Sequence, residues 1–134
     1  MIEKIKLSNP RQLLDLDQLL PGGGENRFEI FYSGTTLDLD VYYDDESSSA
    51  GEIKKSIRFL KVSYFLKQPF PGYSFFSCKD DGDVSMLGSL VEYGYSGIIA
   101  MQQGKELSSG DKHYRLFLHS VGVALYVVAK SVEV

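Results

Sequence analysis

The feature of this sequence that most constrains its fold is a short stretch in which apolar and mainly acidic residues alternate. One phase contains Leu37, Leu39, Val41 and Tyr43, and the other contains Asp38, Asp40, Tyr42 and Asp44. Because successive side chains of a strand point to opposite faces, this pattern predicts a half-buried strand with one apolar face and one acidic face.

A second alternating stretch precedes it. Phe28, Ile30 and Tyr32 share one phase, and the other phase holds Arg27, Glu29 and Phe31. Ser33-Gly34 lies between the two stretches and predicts a turn. We therefore expect a β-hairpin, followed by a polar surface loop over residues 45–51.

The C-terminal region predicts another hairpin. Tyr114, Leu116 and Leu118 alternate with His113, Arg115, Phe117 and His119. After Ser120-Val121-Gly122, a valine-rich run extends from Val123 to Val134. Valine and aromatic residues favour strands, so both runs are predicted to pair in one sheet.

Helical spacing is found near the N-terminus, after a short predicted strand over Ile2 to Leu7. Leucines recur at intervals of three and four over Pro10 to Leu20, Asn9 can act as the N-cap, and Pro21-Gly22-Gly23-Gly24 can end the helix. The sequence therefore predicts an amphipathic helix over Pro10 to Leu20. Ser96 could cap a second, short helix that ends before Gly104.

In three other segments the hydrophobic pattern is less regular. Residues 53–67 predict one long strand with a bulge near Phe59-Leu60, and a helix is the alternative. Residues 84–95 fit either a strand or a helix, and we favour the strand. Phe75 to Cys78 is a further strand candidate, and the Asp-Gly pair at 81–82 is typical of a tight turn.

These elements together predict the fold class. The 134 residues, 43% of them hydrophobic and including 8 Phe and 9 Tyr, are enough for one core without disulfide bonds. We expect a single α+β domain over residues 1–134, predominantly an antiparallel sheet, with the N-terminal helix and the second short helix.

Composition limits the classes of partner and the cellular compartment that we expect for this chain. A formal net charge of −4 disfavours direct binding to nucleic acid, which depends on clustered Lys and Arg. No apolar run approaches the roughly 18 residues of a membrane span, and the first residues lack the apolar core of a secretory signal. With Cys78 as the one cysteine, we expect a cytoplasmic protein with no membrane association.

The residues suited to catalysis are few. His113 and His119 would lie about 20 Å apart on a strand, so they cannot share a metal, and a structural role is the preferred interpretation of both. Cys78 has no partner cysteine and is interpreted as a small buried residue. The Asp80 to Asp83 loop lacks the ligand order of a calcium loop, and no phosphate-binding glycine motif or Gly-x-Ser-x-Gly is present. We therefore predict no enzyme activity, cofactor or metal.

The acidic stretch is the candidate binding site. It contains five carboxylates in nine residues, with no Lys or Arg among them, and Tyr42 shares the face of Asp38 and Asp40. The site residues are Asp38, Asp40, Tyr42, Asp44, Asp45 and Glu46. An acidic face with an aromatic residue can attract and hold a basic protein partner. The alternative is a solvated face that prevents aggregation at a sheet edge.

The C-terminal third resembles a known group of proteins. Ser89-Leu90-Val91-Glu92-Tyr93, Ser96, the run from Lys112 to Leu118 and the run from Tyr126 to Val134 are similar to small bacterial α+β proteins, including immunity proteins of polymorphic toxin systems. This resemblance implies a non-enzymatic protein that binds and neutralises a toxin. A bacterial interaction or structural protein with another partner is the alternative, and a small hydrolase is less favoured.

Overall fold

A computed structural model describes residues 7–15, 25–44, 51–69, 89–96, 110–118 and 121–134. Of these residues 84% are in strands and none are in a helix. The strands of this part of the chain are β1 (Leu7–Asp15), β2 (Glu25–Ser33), β3 (Thr36–Asp44), β4 (Glu52–Leu60), β5 (Tyr64–Pro69), β6 (Ser89–Ser96), β7 (Lys112–Leu118), β8 (Val123–Ala129) and β9 (Ser131–Glu133). The described fold is all-β, so the expected α+β class is wrong.

The strands form two antiparallel sheets. One sheet has five strands in the order β1-β6-β7-β8-β5, and the other has four in the order β2-β3-β4-β9. Apolar side chains of both sheets meet in a common core, in which Leu39 and Ile57 of the four-stranded sheet join Leu116 and Leu125 of the five-stranded sheet. Burial of these faces against each other makes the described part a β-sandwich.

The hairpin predicted around Ser33-Gly34 is confirmed. Ser33 pairs with Thr36, and Gly34 takes a left-handed φ of 60°, which glycine adopts without steric cost. The predicted alternation of β3 is confirmed as well: its inward residues Leu37, Leu39, Val41 and Tyr43 are at most 2% exposed, and its acidic residues lie on the other face.

The predicted C-terminal hairpin is also confirmed, but its second arm does not stay in one sheet. Strand β8 pairs with β7 over its full length, from Val123 opposite Leu118 to Ala129 opposite Lys112. After Lys130 the chain continues as β9, which pairs with β4 in the other sheet. The valine-rich run therefore contributes to both sheets.

The long strand predicted over residues 53–67 is divided into two strands, and the division lies beside the one between β8 and β9. Strand β4 belongs to the four-stranded sheet and β5 to the five-stranded sheet, and Lys61 between them has a left-handed φ of 57°. Two backbone hydrogen bonds hold the crossing: Ser63 N donates to Val128 O, and Lys130 N donates to Leu60 O. The phase change that we interpreted as a bulge is a corner at which two neighbouring strands switch sheets.

The predicted N-terminal helix is wrong wherever it can be compared with the structure. Residues 7–15 form β1, an edge strand that pairs with β6 and has a register shift between Gln12 and Leu14. Pro10 is compatible with an edge strand, which does not need every backbone N–H. Leu13, expected on the buried helix face, is 37% exposed, while Leu14 packs against the core. Backbone pairing with β6 overrides the helical leucine spacing.

Some of the other predicted elements fall within the described residues, and the rest fall outside them. Strand β6 confirms the strand interpretation of residues 89–95 and contains Ser96, which we had expected to cap a helix. Residues 1–6, 16–24, 45–50, 70–88, 97–109 and 119–120 lie outside the described residues. They include the predicted N-terminal strand except Leu7, the rest of the first helix, the second helix, the Phe75 to Cys78 strand and the Asp-Gly turn.

Candidate functional site

The structure places four of the six predicted partner-binding residues on one surface. Asp38, Asp40, Tyr42 and Asp44 lie on the side of β3 opposite to its buried leucines, which we call the outer face of the four-stranded sheet. Asp45 and Glu46 lie outside the described residues. The alternation of β3 positions this row because its apolar phase is fixed in the core.

Two of the carboxylates have partners on β4. Arg58 stands opposite Asp38 and donates to both of its carboxylate oxygens, at 2.7 Å from Nε and 3.4 Å from Nη2. Ser56 stands opposite Asp40 and donates to it at 2.6 Å, while Nζ of Lys54 lies 4.0 Å from the same carboxylate. The acidic row therefore lies against a basic and polar row and is partly neutralised by it.

Tyr42 lies between charged groups of β2. Its hydroxyl donates to Glu29 at 2.6 Å, and the guanidinium carbon of Arg27 lies 3.7 Å from its ring centroid. The hydrogen bond to Glu29 is the main reason why the pKa of Tyr42 is raised above its ordinary value. The phenol ring is thus held in one position by a carboxylate and a cation.

The end of this face near residue 44 has an excess of negative charge. Asp44 stands directly opposite Glu52, an arrangement that is unfavourable for like charges. Arg27 donates to Glu52 at 3.1 Å and Asn26 donates to it at 3.3 Å, whereas the described residues offer Asp44 no cation within ion-pair distance. Asp44 is therefore the carboxylate that a basic partner could reach with the least competition.

The outer face as a whole is acidic and includes an exposed aromatic residue. Among the described residues it contains six carboxylates and three cations, namely Glu29, Asp38, Asp40, Asp44, Glu52 and Glu133 with Arg27, Lys54 and Arg58. Phe31 stands opposite Asp38 and is 51% exposed. The sequence analysis placed Phe31 in the polar phase of β2 but did not nominate it, although an apolar residue in that phase was the available signal.

A second group of polar and aromatic side chains is found on the five-stranded sheet. Nδ1 of His113 and Oγ of Ser96 are 2.6 Å apart and hydrogen-bonded, and Nε2 of His113 has no hydrogen-bond partner among the described residues. The rings of Tyr64, Tyr93 and Tyr126 surround the imidazole with centroid distances of 5.4 to 6.3 Å. Burial lowers the pKa of His113 to about 4, so the ring is neutral at pH 7.

The preferred interpretation of His113 from the sequence was a structural role, and the structure places this histidine in the interior. His113 has no exposed area, and Ser96 is 5% exposed, so the Ser96–His113 pair is closed to a substrate in this structure. Arg115, two residues further along β7, is also fully buried, and its guanidinium carbon lies 4.0 Å from the ring centroid of Phe117. The group fits a structural role better than catalysis. His119 and Cys78 lie outside the described residues.

The described residues contain no group of three or more His, Cys, Asp or Glu side chains that could hold a metal ion. None of the described segments is a helix with the length and hydropathy that a membrane crossing requires.

Comparison with known proteins found no matching family model, no similar curated protein and no similar solved structure. The resemblance of the C-terminal third to bacterial immunity proteins therefore stays a prediction.

Proposed function

We propose that this chain is a non-enzymatic protein-binding module that binds a basic protein partner through the outer face of the four-stranded sheet. The observation that supports this proposal is the half-exposed ring of Phe31 beside Asp38, on a face with twice as many carboxylates as cations. Aromatic residues are enriched at protein interfaces and among the residues that contribute most to binding.

The charged and the aromatic residues of this face would contribute to binding in different ways. The net negative charge would speed the encounter with a basic partner, because electrostatic attraction acts mainly on the association rate. Phe31 and Tyr42 would supply the contact area that slows dissociation. Tyr42 is already held by Glu29 and Arg27, so little side-chain entropy would be lost when it binds.

The carboxylates of this face differ in how easily a cation of the partner could reach them. A partner cation that approaches Asp38 must compete with Arg58, whereas Asp44 has no competing cation among the described residues. We therefore propose Asp44 as the main electrostatic contact, with Asp38 and Asp40 contributing to the field of the face. The resemblance to immunity proteins suggests a bacterial toxin as this partner, and a different bacterial protein is the alternative.

Affinity capture followed by kinetics tests the proposal. The wild-type chain and Phe31→Ala would be used to capture proteins from the source cells, with Leu13→Ala as control because Leu13 is a moderately exposed apolar residue on the other sheet. We expect a basic protein that is captured by the wild type and by Leu13→Ala but about tenfold less by Phe31→Ala. Equal capture by all three chains would contradict the proposed interface.

The captured partner then allows the two contributions to be separated. Asp44→Asn should lower the association rate, and its effect should fade between 0.1 and 1 M salt, where the Debye length shrinks from about 10 Å to about 3 Å. Tyr42→Ala should mainly raise the dissociation rate. Unchanged association and dissociation rates in both variants would place the interface elsewhere on the chain.

A further inference from the structure

Strand β2 is an edge of the four-stranded sheet, and within the described residues it pairs only with β3. A two-residue hairpin loop is flanked by a hydrogen-bonded pair, here Ser33 and Thr36, and bonded and non-bonded pairs then alternate along the strands. The residues of β2 that direct N–H and C=O groups away from β3 are therefore Tyr32, Ile30 and Phe28. These groups form a row able to pair with another strand.

The charges on this edge are self-complementary in one antiparallel register. Arg27 and Glu29 lie on the outer face, on either side of Phe28. If a second β2 runs antiparallel with Phe28 opposite the partner's Phe28, Arg27 faces the partner's Glu29 and Glu29 faces the partner's Arg27. Opposite charges directly across a strand pair are favourable, and the two-fold symmetry produces the pair twice.

The neighbouring registers lack this match. Centring the pair on Glu29 places that carboxylate opposite the partner's Glu29, and centring it on Arg27 places two guanidinium groups together. Centring it on Ile30 leaves Glu29 opposite the partner's Phe31. The outward backbone groups can pair in each of these registers, but only the register centred on Phe28 adds two ion pairs.

We propose that two copies of this chain associate through β2 in the register centred on Phe28, joining their four-stranded sheets into one eight-stranded sheet. Two half-exposed aromatic residues, Phe31 and Tyr32, lie on the same strand and add apolar surface next to the interface between the two copies. The acidic outer faces of the copies become continuous. This proposal concerns the strand edge and does not depend on the proposed function, which concerns the face.

Charge-swap variants test the pairing. Arg27→Glu gives an edge with two carboxylates, and Glu29→Arg gives an edge with two cations, so each variant alone places like charges opposite each other. Lys55→Glu is the matched control, because it makes the same charge change as Arg27→Glu at an exposed residue of β4. Circular dichroism and thermal unfolding would verify that each chain is folded.

Sedimentation velocity over about 1 to 200 µM would report the association, a range suited to the small area of a single strand pair. We expect concentration-dependent dimers of the wild type and of Lys55→Glu, and at least tenfold weaker association of each single variant. An equimolar mixture of Arg27→Glu and Glu29→Arg should dimerise again. The mixture cannot restore contacts inside either chain, such as Arg27 with Glu52, so its recovery reports the contact between chains.

Three results would overturn the proposal. They are a wild type that is monomeric over the whole range, single variants that dimerise as strongly as the wild type, and a mixture that associates no more than its separate components. The proposed function is tested at Phe31, Tyr42 and Asp44 with a different partner, so either proposal can fail while the other holds.

Discussion

The two sheets of the sandwich bury their side chains differently. In the four-stranded sheet, β3 alternates between buried and partly exposed positions, and its outward phase contains aspartates. In the five-stranded sheet, six successive residues of β7, from His113 to Leu118, are buried, and the same holds for β8 from Ala124 to Ala129. The five-stranded sheet is thus buried on both faces at its centre, and the four-stranded sheet on one.

The second buried face has its own small core. Phe117, Ala124 and Tyr126 form a cluster with Tyr64 and Leu66, separate from the core between the sheets. His113 and Arg115 lie on this face as well, so it holds polar groups where water is excluded. The outer face of the four-stranded sheet is therefore open to solvent, whereas the corresponding face of the five-stranded sheet is buried.

Removal of the C-terminal residues 123–134 should abolish cooperative unfolding. The deletion removes β8, which lies between β7 and β5, and also β9, which pairs with β4. Each sheet would lose one strand. The connection through Lys130, where the chain passes from one sheet to the other, would be lost as well. Urea unfolding followed by circular dichroism is the measurement, and a sharp transition near the wild-type midpoint would show that the C-terminal hairpin is dispensable.

On the four-stranded sheet, adjacent residues of β3 should respond very differently to truncation. Leu39→Ala should cost about 2 to 5 kcal/mol of unfolding free energy, because the side chain is fully buried and leaves a cavity. Asp40→Ala loses the hydrogen bond with Ser56 near the surface and should cost about 1 kcal/mol or less. Equal denaturation midpoints with unchanged m-values would reject the register of β3.

On the five-stranded sheet, His113 should make stability depend on pH. The pKa of His113 is about 4 in the folded state and ordinarily 6.5, so the unfolded chain binds a proton between these values that the folded chain does not. Stability from this group is therefore complete above pH 6.5 and is lost as the pH falls toward 4, by about 3 kcal/mol in total. Denaturation between pH 5 and 7 should show this slope in the wild type and lose it in His113→Gln. An identical slope in both proteins would show that His113 is accessible to water.

The smallest effect is expected for the ion pair between Asp38 and Arg58 on the outer face. Asp38→Asn, Arg58→Gln and the double variant form a cycle that isolates the energy of the pair. Because both side chains reach water, we expect a coupling of about 0.5 kcal/mol that decreases in 1 M salt. A coupling above about 2 kcal/mol would mean that the face is shielded from solvent.

The contrast between the sheets also explains which elements could be predicted from the sequence. Strand β3 and its turn at Gly34 were predictable because water on one face imposes a period of two. Strand β1 was missed because the leucine spacing favours a helix, whereas the backbone of residues 7–15 pairs with β6, which is distant in the sequence. The sheet switch at Lys61 was misinterpreted as a bulge, since a phase change looks the same in both cases.

The candidate site was predictable only in part. The sequence places Asp38 and Asp40 on one face of β3, but the cations near them, Arg58 and Lys54, belong to β4. The pattern of β3 alone does not show which strand lies beside it. The buried positions of His113 and Arg115 were missed for a related reason. Polar residues in an alternating pattern normally face water, and here the second face of the sheet is covered.

One matched pair of substitutions tests the central claim most directly, namely that one sheet is open on its outer face and the other is closed. Phe31→Lys and Phe117→Lys make the same change on strands of the two sheets, at positions that point away from the core between them. Phe31 is 51% exposed and Phe117 is 1% exposed. We predict that Phe31→Lys changes the unfolding free energy by about 0.5 kcal/mol or less, and that Phe117→Lys costs at least about 3 kcal/mol because it buries an unpaired charge. Similar unfolding free energies for the two variants would contradict the account.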